Sequence, residues 1–153
     1  MSNQTTRTHP RRAAAKAATA VGDRCTTIDF EGLGDSQFVP DFDDVSLPGW
    51  ISTIEDTQPG GHGNFNNEPS PVTTVFWVFG NPTTRDILFG NPVSSVSFHY
   101  ASAYAVSLEA FDENEMLLAT ANGPRNLPNF SNRYTVFTPI SVSSVGDKIA
   151  KVT

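Results

Sequence analysis

Apolar and polar positions alternate most clearly between Pro92 and Ala121, where three consecutive segments repeat with period two. Val96, Phe98 and Tyr100 interleave with Ser95, Ser97 and His99. Beyond the turn Ala101-Ser102-Ala103, Val106, Leu108 and Ala110 interleave with Ser107 and Glu109, until Phe111 breaks the pattern at the strand end. Successive side chains of an extended chain point to opposite faces, so each segment buries one face and wets the other. A tip at Asp112-Glu113-Asn114-Glu115, with Asn114 best suited to positive φ, joins the second segment to Met116–Ala121. The pattern predicts a three-stranded antiparallel meander.

Similar signals run through the rest of the chain. Cys25–Phe30 reads as a strand with Ile28 and Phe30 on one face, ended by Glu31-Gly32-Leu33-Gly34, and Cys25 is expected to be a small buried hydrophobe. An acidic loop over 35–46 precedes a turn at Pro48-Gly49 and a short strand carrying Trp50 and Ile51. Gln58–Pro71 holds three glycines, three asparagines and three prolines, a composition that predicts a surface loop. Val72–Phe79, whose Val75-Phe76-Trp77-Val78-Phe79 run is apolar on both faces, predicts a central core strand. Turns at Asn81-Pro82 and Gly90-Asn91-Pro92 bracket a short strand at Asp86–Phe89. A second loop, Asn122–Asn132, leads to strands at Tyr134–Phe137, Ile140–Ser143 and Lys148–Val152. Strands at this spacing, with no helical period after residue 22, define an all-β fold, an antiparallel two-sheet β-sandwich.

Composition divides the 153 residues in two. Residues 1–23 form a polar tail, expected to be disordered apart from a weak helix over Arg11–Ala18, and 24–153 form the sandwich domain. The first 22 residues carry four bases and no acid. The remainder carries all 16 acids and the other six bases, a net −10. So acidic a domain repels phosphate backbones, so no nucleic-acid partner is expected for the folded part, and only the basic tail could touch polyanions. Ala13–Val21 lacks the leucine-rich stretch of a secretory signal, the Arg11-Arg12 pair alone is a weak export mark, and no apolar run is long enough for a transmembrane segment.

Three stretches carry a resemblance. TIDFEGL (Thr27–Leu33), PVSSVSFHY with AVSLEAFDENEMLLATA (Pro92–Tyr100 and Ala105–Ala121) and GDKIAKVT (Gly146–Thr153) resemble secreted bacterial β-sandwich domains, the jelly-roll domains found ahead of a PEP-CTERM sorting tail. They are also similar in pattern to galactose-binding-like carbohydrate modules. The resemblance spans Cys25–Thr153 and implies a jelly-roll-like fold and an extracellular or cell-surface location. It brings no site chemistry with it.

The candidate chemistry is therefore read from residue types. Asp41, Asp43 and Asp44, with Glu31 and Asp35 nearby, supply hard oxygens of the kind Ca²⁺ prefers, against the alternative of a solvated acidic loop. Asp112, Glu113 and Glu115 read as a polar hairpin tip. Trp50, His62, Asn64, Phe65 and Asn67, with Asn129 and Phe130 of the second loop, would form a polar-aromatic rim for a glycan if the two loops meet, with Asn66, Asn126 and Asn132 beside them. The alternative is that Trp50 and Phe65 cap the core while the asparagines make turns. No nucleophile, metal-triad or phosphate-loop motif occurs, and His9, His62 and His99 are dispersed. The expected function is a non-catalytic, extracytoplasmic binding module for a glycan or other surface component. A structural or assembly module used through its sheet edges is the alternative, and a carbohydrate-active enzyme stands third.

Overall fold

A computed structural model describes residues 16–19, 24–69, 72–76, 84–127 and 133–153. Among the described residues there is no helix, and twelve strands form antiparallel sheets. In chain order these are β1 (Lys16–Thr19), β2 (Arg24–Thr27), β3 (Gln37–Phe38), β4 (Val45–Ser46), β5 (Ile51–Ile54), β6 (Thr73–Phe76), β7 (Ile87–Val93), β8 (Ser95–Tyr100), β9 (Val106–Phe111), β10 (Leu117–Gly123), β11 (Thr138–Ser143) and β12 (Ile149–Val152). The main layer is a five-stranded sheet ordered β10-β9-β12-β7-β4. It is faced by the β11-β8 ribbon and the β3-β5-β6 sheet, while β1 and β2 form a separate hairpin. The all-β sandwich expected from the alternation is present.

Two clusters hold the layers together. Tyr100 of β8 and Ile140 and Val142 of β11 pack against Leu108 and Ala110 of β9 and Ile149 and Val152 of β12. Val39, Leu47 and Trp50 pack against Val45 of β4, Val75 of β6 and Ile87 of β7. Each fully buried Val or Ile contributes about 1.5–3 kcal/mol by leaving water. Asn126 closes one end of the ribbon. Its Oδ1 accepts from the Ser102 amide at 2.6 Å, and its Nδ2 donates to the Tyr100 carbonyl at 2.8 Å and the Thr138 hydroxyl at 2.9 Å. At the opposite end the Ser144 amide donates to the Ser94 carbonyl at 2.9 Å.

Several details depart from expectation. β8 and β9 bury the faces foreseen, but β8 pairs with β11 while β9 pairs with β10, so the chain changes layer between β8 and β9. Period two sets a face, not a partner. The turn expected at Gly90-Asn91-Pro92 is instead the interior of β7. The register against β12 jumps from Ile149↔Val93 to Lys151↔Leu88, and this bulge accommodates Pro92, which has no N–H for a regular ladder. Of the central strand expected over Val72–Phe79, the described part, β6, lies at the end of its sheet, and Thr73 is its most buried residue. At the β9–β10 hairpin the positive φ falls on Glu115 (61°), not Asn114. The Asp112 carboxylate caps that turn, accepting from the amides of Asn114 and Met116, each at 2.8 Å.

The first strand stops at Thr27, short of Phe30, which has φ 59° and packs edge-on against Phe42. Cys25 is exposed rather than buried, because among the described residues β2 pairs only with β1, outside both core clusters. Lys16–Thr19 is a strand where a weak helix was expected. Tyr134 makes an isolated bridge to Phe65, and 135–137 form no strand. The remaining tail residues, Trp77–Phe79 and Asn81-Pro82 lie outside the described residues.

Candidate functional site

The three-stranded sheet presents an apolar row to the outside. Its register places Phe38 opposite Ile51 and Ile51 opposite Phe76, so these three side chains share one face, while Ser52 and Val75 share the other. Val75 packs inward on the core and Ser52 is fully buried. Phe38 is 78% exposed and Phe76 37%. Phe38 and Phe76 stand two strands apart, about 10 Å at the usual strand spacing. The row is thus an open platform with an aromatic ring at each end.

A polar rim borders it. Thr53 lies two residues beyond Ile51 on the same face, and its hydroxyl donates to Asp35 Oδ1 at 3.0 Å. The Asp35 side chain is only 8% exposed. It also accepts from the Ile54 amide at 2.8 Å, the Ser36 hydroxyl at 2.7 Å and the His62 amide at 3.4 Å, with His62 Nδ1 2.9 Å away. Burial pushes the Asp35 pKa up, but the Ile54 amide, with Ser36, His62 and Thr53, outweighs burial and holds the carboxyl far below the usual range. The imidazole of His62 stays exposed at the rim, fixed by a carboxylate whose own lone pairs are occupied.

The long loop docks behind this clasp. Gly63 bridges Glu55, and its amide donates to the Ile54 carbonyl at 2.7 Å. Two further bonds join the loop to the segment after the second loop: the Tyr134 amide to the Asn64 carbonyl at 3.0 Å, and the Asn66 amide to the Tyr134 carbonyl at 2.9 Å. Arg133 pairs with Asp56 and, at 3.6 Å, with Glu55. The long loop therefore meets the 133–134 segment, while residues 128–132 of the second loop lie outside the described residues.

The side chains foreseen for that rim are placed differently from one another. Trp50 is buried, its indole N–H donating to the Asp86 carbonyl at 3.0 Å. Phe65 is 4% exposed and meets Phe137 edge-on at 6.5 Å. Neither ring offers an open face. Asn64 and Asn67 are exposed, and Asn67 takes φ 60° as a turn residue. Asn129, Phe130 and Asn132 lie outside the described residues. Of the foreseen set, His62 alone among the described residues joins the platform. Sequence reasoning missed Phe38 and Phe76. The two residues of β3 are too few to display a period, and Phe76 was absorbed into a run read as core.

The acidic candidates do not converge. Glu31 faces β6, accepting from the Thr73 amide at 3.2 Å and hydroxyl at 3.4 Å. Asp41, Asp43 and Asp44 are exposed, Asp43 with φ 37°. Among the described residues no three His, Cys, Asp or Glu side chains gather in a metal-holding group. The hairpin acids Asp112 and Glu113 line an open depression of about 420 Å³ with Pro92, Asn114, Gly146, Asp147 and Lys148. The Met116 amide lowers the Asp112 pKa, partly opposed by desolvation and aided by Asn114, as suits a turn-capping role.

Compared with known protein families, with curated proteins and with solved structures, the chain finds no match in any of the three. Its class is set by its own geometry, an all-β antiparallel sandwich. No helix among the described residues is long and apolar enough to cross a membrane.

Proposed function

We propose that this domain is a non-catalytic, extracytoplasmic binding module that takes a glycan on the outer face of its three-stranded sheet. The observation that carries the reading is the in-register row Phe38-Ile51-Phe76, with two exposed rings on one face of a hydrogen-bonded sheet. The apolar faces of sugar rings stack on such aromatics, while hydroxyls need polar partners at the margin, and exposed His62 supplies one. A sheet face holds its side chains more precisely than a loop, so the stacking geometry is set before the ligand arrives. The reading keeps the glycan expected from sequence and moves the contact from the end loops to the sheet.

The non-catalytic part rests on the state of the buried acid. Asp35 spends its lone pairs on Ile54, Thr53, Ser36 and His62, and a carboxylate so occupied is a poor proton donor or base. The surface location follows the resemblance to secreted jelly-roll domains. A polysaccharide pull-down tests the function. Capture by at least one polysaccharide is expected, lost with Phe38→Ala and retained with Asn114→Ala, which lies in the hairpin turn of another sheet. Equal capture of both variants would move the site elsewhere, and turnover of the bound polysaccharide would make the domain an enzyme.

A further inference from the structure

The five-stranded sheet ends in β10, seven residues long and paired, among the described residues, only with β9. An open strand edge exposes unsatisfied N–H and C=O groups, and folded proteins blunt it with charge, proline, shortness or bulges. Three other terminal strands here are blunted in those ways. β3 and β4 have two residues each, and β11 contains Pro139. β10 reads LLATANG, and the stretch from Met116 to Pro124 contains no charge. Its one irregularity lies at Leu118, which leaves Ala119–Gly123 regular. Met116 and Leu117, at its start, are 64% and 56% exposed. The edge strands β8 and β6 differ: β8 has no exposed large hydrophobe, and β6 is four residues whose exposed Phe76 belongs to the platform.

We propose that β10 pairs antiparallel with β10 of a second copy of this chain, about a two-fold axis through Ala121, joining two five-stranded sheets into one. This register sets Ala119 opposite Gly123 and Thr120 opposite Asn122. The half-buried Ala119 and Ala121 lie on the core side, and the exposed Thr120 and Asn122 form uncharged polar pairs on the outside. A two-fold axis brings an edge against itself, so any charge there would be set against its own copy. A charge-free edge in a chain of net −6 meets that requirement. At the start of the strand and just before it, Leu117 and Met116 are covered by the 124–127 segment of the second copy. The dimer needs no ligand. Were the platform also to bind a glycan, two platforms on one body would raise avidity.

Sedimentation velocity on the full chain over a concentration series tests this, with circular dichroism and melting temperature as fold checks. The wild type should sediment as a concentration-dependent dimer. Thr120→Lys and Asn122→Lys, both at exposed positions, should weaken it about tenfold or more while leaving the fold intact. Amide exchange on the wild type needs no substitution, and β10 amides should slow as concentration rises while those of β8 do not. A wild type that stays monomeric throughout, a dimer that survives both lysines, or exchange in β10 insensitive to concentration would each overturn the proposal.

Discussion

Replacing Asp35 tests how the platform is held. In Asp35→Ala the Ile54 amide and the Thr53 hydroxyl lose an acceptor at 2.8 and 3.0 Å in a buried strand, and an unsatisfied buried donor costs about 1–3 kcal/mol. Ser36 and His62 reach water and add little, so the total is about 3–4 kcal/mol. For a domain of this size that lowers the melting temperature by about 10 °C. Asp35→Asn keeps the shape and one acceptor and should cost about half as much.

The pH dependence gives a second reading. The folded-state pKa of Asp35 lies below its unfolded value of about 4, so its stabilisation is complete above that value and is lost as pH falls through it toward the folded pKa. Urea unfolding of the wild type and Asp35→Asn should show a stability gap at about pH 5 that closes as pH falls below about 4. A gap that stays open or widens below about pH 4, or an alanine variant as stable as the wild type, would refute the reasoning.

Other substitutions probe the core and the acidic loop. Ile149→Ala empties a fully buried site between the layers and should cost about 2–5 kcal/mol in chemical denaturation. At Gly123 an added Cβ would lie 2.2 Å from the Tyr100 hydroxyl oxygen, which donates to the Pro124 carbonyl at 2.7 Å. Gly123→Ala should therefore destabilise by about 1–3 kcal/mol, and Tyr100→Phe in the same background should recover part of that loss. Since Glu31 is engaged by Thr73 and the exposed loop aspartates belong to no metal-holding group among the described residues, Ca²⁺ should leave the melting temperature where a chelator does. A rise with Ca²⁺ would mean that the loop rearranges around the ion.

How far the chain could be read depended on the range of the interactions involved. Alternation at Ser95–Tyr100 and Val106–Phe111 was legible because one face of each strand packs on a single core, and the Asp112 turn and the Gln58–Pro71 loop were legible because their chemistry is local. The pairing of β8 with β11 was not, since it joins segments about forty residues apart by backbone bonds that leave no mark on side-chain period. Pro92 inside β7 looked like a turn, because the bulge that admits it depends on β12. The burial of Trp50 rests on Asp86, and that of Phe65 on Phe137. Aromatic residues could be seen in the sequence, but whether their faces were open depended on those distant partners. Phe38 is the converse, an exposed ring inside a stretch that looked like a loop.

The most direct test of the central claim is the affinity of a captured polysaccharide for the wild type and for the double variant Phe38→Ala/Phe76→Ala, both checked for an unchanged melting temperature. Loss of both rings should weaken binding by at least about tenfold. Undiminished affinity in the double variant, or no polysaccharide bound by the wild type, would contradict the claim that this sheet face is the binding surface.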